Sequence, residues 1–221
     1  MTKPKTIKKK ATRAVRVAKV SSAREAIGTI EKGTDTFILT YGQFSLIDAL
    51  VVILDQTGPA DVTISTWTAA DAHLARSAAL LESVSMRSFR MIVDRSFETR
   101  QPKYCHHMRQ LFGAESIRAI RTHAKFMIIR SDTHDIAVRT SMNLNENPRL
   151  ENIEISEGKE FAEFLQAISD DVFREVPERE NMSDLPNLES VQETFQFNEI
   201  KANTIKREAL NEPRTTHAVK R

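Results

Sequence analysis

Between residues 36 and 175 the spacing of the apolar residues switches repeatedly between two and about three and a half, and this alternation constrains the fold more than any other feature. Residues 36–40 read as a strand, 45–56 as a helix with Ser45 at its N-cap, 61–68 as a strand, and 70–84 as an Ala/Leu-rich helix. Residues 89–95 follow as a strand, 103–112 as a helix stopped by Gly113, and 116–121 as a strand. Two strands, 122–130 and 134–139, then form a hairpin, and 159–175 is a closing helix. Strand and helix taking turns predicts an α/β fold: an open, mixed sheet with helices on both faces and a tail at each end.

The 221 residues suit one medium domain at 34–176, a flexible basic arm at 1–33 and a polar tail at 177–221. The tail holds Phe195, Phe197 and Ile200 as isolated apolar anchors in an expected helix over 188–210. The best apolar stretch, 46–54, contains Asp48 and is far shorter than the roughly 20 residues that span a bilayer. A single cysteine, Cys105, allows no internal disulfide, and the chain opens without an apolar leader, so a cytoplasmic location is expected. The run Cys105-His106-His107 invites a metal reading, but further ligands at usable spacing are lacking. Cys105, Met108 and Leu111 fit the buried stripe of a short helix, and neither metal nor cofactor is expected.

Charge is distributed unevenly. Nine Lys or Arg residues and no acid precede Glu25, among them Lys8, Lys9, Lys10, Arg13 and Arg16. Such a run binds polyanions by releasing counterions, which makes nucleic acid the expected partner; a solvated tail is the bland reading. An anionic membrane surface is disfavoured, because the arm carries no Trp, Phe or Leu to insert.

The chemistry gathers near residue 123. If 122–130 is a strand, alternation puts His123 and Lys125 on one face, where an imidazole and an ammonium can address one phosphate. After the hairpin comes Thr140-Ser141-Met142-Asn143-Leu144-Asn145, and then Arg149-Leu150-Glu151-Asn152. The order resembles the phospholipase D superfamily, whose signature is His-x-Lys-x4-Asp, then Gly-Ser-x-Asn, then a Glu-Asn pair. Two positions depart from it: Arg130 stands at the family's Asp and Thr140 at its Gly.

The resemblance implies a phospholipase D-like half-domain and metal-independent phosphodiester chemistry. His123 would attack phosphorus, Lys125 and Asn143 would hold the phosphoryl oxygens, Ser141 would donate a hydroxyl, and Glu151 would fix the tautomer of His123. The family draws a second histidine from a second motif, whereas this chain has one His-x-Lys, so the resemblance implies a homodimer and, by family habit, a bacterial or phage source. Arg130 reads as an extra phosphate contact. Tyr41 and Ser45, and likewise Trp67 and His73, follow strand ends and could line a groove, or be turn residues and a helix cap. Two functions stay open: a homodimeric nuclease, and a nucleic-acid-binding protein that keeps the phosphate pocket without turnover.

Overall fold

The computed structural model describes residues 10–18, 22–83, 85–145 and 148–178. Lys8, Lys9 and the expected tail helix lie outside them. In chain order the elements are β1 (Thr12–Ala18), α1 (Ala23–Ile27), β2 (Thr34–Thr40), α2 (Leu46–Thr57), β3 (Ala60–Thr66), α3 (Asp71–Glu82) and β4 (Met86–Asp94). There follow α4 (Phe97–Arg100), α5 (Pro102–Phe112), β5 (Ile117–Ile120), β6 (Phe126–Ser131), β7 (Asp135–Thr140), β8 (Glu151–Glu157) and α6 (Lys159–Glu175).

The strands form one mixed sheet in the order β1-β2-β8-β7-β6-β3-β4-β5. β1 runs parallel to β2, and β3, β4 and β5 are mutually parallel. β6, β7 and β8 join these two parallel groups through antiparallel ladders. Adjacent residues of β4 show which helices lie on which face. Phe89 packs on Phe112 of α5 with ring centroids 4.3 Å apart, whereas Arg90 reaches Asp170 of α6 at 2.8 Å. Successive strand residues point to opposite faces, so α5 and α6 cover opposite sides of the sheet.

The larger core lies on the α5 side, where α2 contributes Leu46, Ile47, Leu50 and Ile53, all fully buried. On the α6 side, alternation places Ile92, Ile128 and Ala137 beneath Ala162 and Val172, all at most 3% exposed. α2 begins as expected: Ser45 and Asp48 form a reciprocal capping box that satisfies two backbone donors of the first turn. α5 ends at Gly113, whose φ of 77° suits glycine and no β-branched residue.

Two strands and two short helices depart from the sequence reading. Part of the stretch read as a flexible arm is folded, with β1 laid along β2 from Thr12↔Thr34 to Ala18↔Thr40. Within it Arg16 donates to the carbonyl of Ala26 at 3.3 Å, at the end of α1, and Arg13 lies 3.3 Å from Glu154. Both arginines make contacts within the fold, although the Arg13 side chain is still 62% exposed, and Lys10 is exposed as well. β8 is the other unexpected strand; it inserts between β2 and β7 and buries Ile153 and Ile155.

Of the expected stripe, Cys105 and Met108 are buried and Leu111 is half-buried against the core, and burial pushes the Cys105 thiol up to about 11. Among the described residues no helix is long and apolar enough to cross a membrane.

Ser45→Ala should cost about 1 kcal/mol, read as a lower urea midpoint at unchanged m-value. Burial tends to raise the Asp48 carboxyl, but hydrogen bonds from Ser45 and Arg76 outweigh it and hold the group below its ordinary value. A lowered carboxylate stabilises the fold at neutral pH and loses that contribution as the pH falls through its folded value. Asp48→Asn should therefore flatten the acid limb of the stability profile below about pH 4.

Candidate functional site

The pairing directions gather one set of strand ends. The carboxyl ends of β2, β3, β4, β5 and β7 meet the amino ends of β6 and β8, since Thr40 faces Glu151, Ser65 faces Phe126 and Thr140 faces Ile153. In open α/β sheets this is the end at which ligands collect. Every motif residue except Arg130 lies here.

His123 and Lys125 belong to the segment that leads into β6, and not to the strand itself. The ladder with β3 starts at Ser65↔Phe126, and the Ser65 hydroxyl donates to the Ala124 carbonyl at 2.9 Å, which holds the lead-in against the sheet. Lys125 folds back on His123: its Nζ donates to the His123 carbonyl at 3.1 Å and stands 3.3 Å from Nδ1. The side chains thus share one side by this contact and not by strand alternation. His123 is exposed and Lys125 half-buried. Burial lowers the Lys125 ammonium from the usual lysine value, and the charge of Glu151 opposes the shift.

Thr140 fills the glycine position of the motif without strain, as the last residue of β7. Its hydroxyl donates to the Asn152 carbonyl at 2.6 Å and accepts from the Met142 amide at 3.0 Å. Met142 and Leu144 are then buried at 5% and 0%, so the alternate residues Ser141 and Asn143 turn outward. The Thr66 hydroxyl lies 3.5 Å from Asn143 Oδ1. Ser141 Oγ accepts from the Asn152 amide at 2.9 Å and donates to Glu151. Glu151 was expected to accept from His123; its hydrogen-bond partner is Ser141.

Other expected residues lie elsewhere or act otherwise. Arg130 is four residues beyond Phe126, about 13 Å along the strand, and pairs with Asp135 at 2.7 Å across the hairpin and with Glu163 of α6 at 3.8 Å. It does not join His123 and Lys125 at the other end of β6. Ser45 is 3% exposed and caps α2, and His73 is 3% exposed inside α3. Tyr41 stands at the end of β2, 48% exposed, on the same rim as Glu151. Trp67, just past β3, has its ring centroid 5.7 Å from that of His123.

Asp94, at the end of β4, belongs to no motif of the sequence. Its carboxylate accepts from the Thr122 amide at 3.0 Å and the Ser96 amide at 2.9 Å, tying the loop that carries His123 to the loop leading into α4. Its only sequence signal is an acid directly after the apolar run Met91-Ile92-Val93. Among the described residues no three of His, Cys, Asp and Glu converge as a metal ion requires.

No family model and no curated protein matches the chain. Among solved structures it is similar to a phospholipase D family member, Nuc, from Salmonella typhimurium, at 13% identity and a TM-score of 0.45, covering 66% of this chain and 99% of that one. It is also similar to polyphosphate kinase from Porphyromonas gingivalis, at 16% identity and a TM-score of 0.48, covering 73% of this chain and 30% of the kinase. Likeness at these levels carries no argument about chemistry.

Arg130 and Asp135 are 34% and 26% exposed, so water screens their attraction. A double-mutant cycle of Arg130→Ala and Asp135→Ala should return a coupling of about 1 kcal/mol or less.

Proposed function

We propose that this protein is a metal-independent phosphodiesterase of the phospholipase D superfamily, a homodimeric nuclease with His123 as nucleophile. The observation that carries the reading is the convergence of His123, Lys125, Ser141, Asn143 and Glu151 on one sheet end, with Lys125 Nζ 3.3 Å from the His123 ring. An exposed imidazole beside an ammonium and an outward amide combines a nucleophile with donors for phosphoryl oxygens.

His123 Nε2 attacks phosphorus, the bond from phosphorus to the leaving oxygen breaks, and that oxygen takes a proton from the His123 of a second copy. Water then attacks the phosphohistidine while the second imidazole removes its proton, which frees a phosphomonoester and restores both rings. Lys125 has to move for the first step. An ammonium donating to Nδ1 puts the ring proton on Nε2 and leaves that nitrogen no lone pair. When Lys125 shifts to phosphoryl oxygens, Nδ1 takes the proton and Nε2 becomes nucleophilic.

One observation favours a second reading, a nucleic-acid-binding protein without turnover. The Glu151 carboxylate accepts from Ser141, and the His123 ring lies against Lys125, so the contact that would hold the Nδ1 proton is not made.

Labelled single- and double-stranded DNA and RNA incubated in EDTA should be cleaved, with His123→Ala slower by about 10³-fold or more. A quench in alkaline detergent should trap an alkali-stable, acid-labile phosphoprotein in the parent only. Equal cleavage by the variant would overturn the nucleophile, and salt-sensitive complexes without products would establish the binding protein.

A further inference from the structure

We propose that Trp67 and Arg100 form a stacking platform for the base next to the bound phosphate, so that the site selects unpaired over duplex nucleic acid. The inference rests on the phosphate-site reading above and specifies its substrate class.

The platform is built from the segment after β3 and the last residue of α4. Trp67 emerges from the end of β3 with its ring 5.7 Å from His123, tilted at 54°. The Arg100 guanidinium carbon lies 3.7 Å from the centroid of the same indole. Arg100 is held there at two nitrogens: Nη2 donates to the Trp67 carbonyl at 2.8 Å and Nε to Ser96 Oγ at 3.0 Å. Ser96 is fixed in turn by Asp94, which also accepts from the Thr122 amide. A guanidinium used this way is a flat, immobilised cation and not a mobile phosphate clamp.

Such a surface suits a nucleobase. Every base offers a π-face, and stacking on an aromatic or guanidinium plane tolerates any sequence. A paired base is covered on both faces by its neighbours in the stack and cannot use the platform until it is unpaired. The charge also discriminates among phosphodiesters, because Arg100 repels a quaternary ammonium that would otherwise favour the indole, so a choline headgroup is rejected. Tyr41, half-exposed at the end of β2, lies four strand spacings from β3, about 19 Å along the same rim. That distance accommodates a short run of nucleotides with the phosphate residues between the two aromatics.

Trp67 is the only tryptophan in the chain, so its fluorescence reports the platform directly. The full chain in EDTA would be titrated with four probes: a phosphorothioate oligothymidylate, an abasic strand of the same length and linkage, the matching duplex, and phosphatidylcholine vesicles. Expected are quenching of Trp67 by the oligothymidylate alone and an affinity about tenfold or more above that for the abasic strand and the duplex. Trp67→Leu and Arg100→Leu, followed by anisotropy of a labelled strand, should reduce oligothymidylate binding to the abasic level. Trp67→Phe should retain part of the preference.

Equal affinity for the oligothymidylate and abasic strands without quenching would overturn the platform and leave the phosphate site standing. Failure of both strands to bind would overturn the phosphate-site reading as well. A blue shift on vesicles with no response to the strands would replace nucleic acid with lipid. The wild-type quenching measurement stands even if a variant fails to fold.

Discussion

The ladder between β3 and β6 is the constraint on which the site depends. It joins the parallel strands β3-β4-β5 to the antiparallel strands β6-β7-β8, and its register, Ser65↔Phe126, decides where the backbone of the motif leaves the sheet. Sliding β6 by one residue would turn the fully buried Met127 and Ile129 to the wrong face, so the core holds the register. The position of His123 is therefore set by hydrophobic packing several residues away, and the polar groups around it refine a placement already made.

Much of this was readable in the chain. The βα succession from β2 to β5 follows from apolar periods and from local punctuation by Ser45 and Gly113, because those signals act within a few residues. β1 was hidden because its sequence, Thr-Arg-Ala-Val-Arg-Val-Ala, sits within a basic run whose charge suggests a solvated arm; its pairing with β2 comes from the sheet. β8 was hidden for the opposite reason, as Glu151-Asn152 drew attention to chemistry and away from Ile153 and Ile155.

The candidate site was legible as a set of neighbouring residues and less so as contacts. Alternation along a strand gave the right neighbours, His123 and Lys125, for a reason that does not operate, since neither is in a strand. Partners of a carboxylate are long-range facts, so Glu151 could not be assigned to Ser141, or Asp94 to two loops, from spacing. Arg130 shows how identity misleads. A cation in a phosphate motif suggests an anion site, yet five residues on an extended chain carry it to the far end of the strand, where Asp135 waits across the hairpin.

The double use of the Asp94 carboxylate has an evolutionary consequence. One side chain sets both the loop that positions His123 and the loop that aims Arg100 at Trp67, so these loops cannot drift independently. Substitutions in one will be conditional on the residues of the other, and Asp94 is the position through which that dependence passes. Related chains that keep one loop should keep both, and those that lose Asp94 should have rebuilt the whole rim.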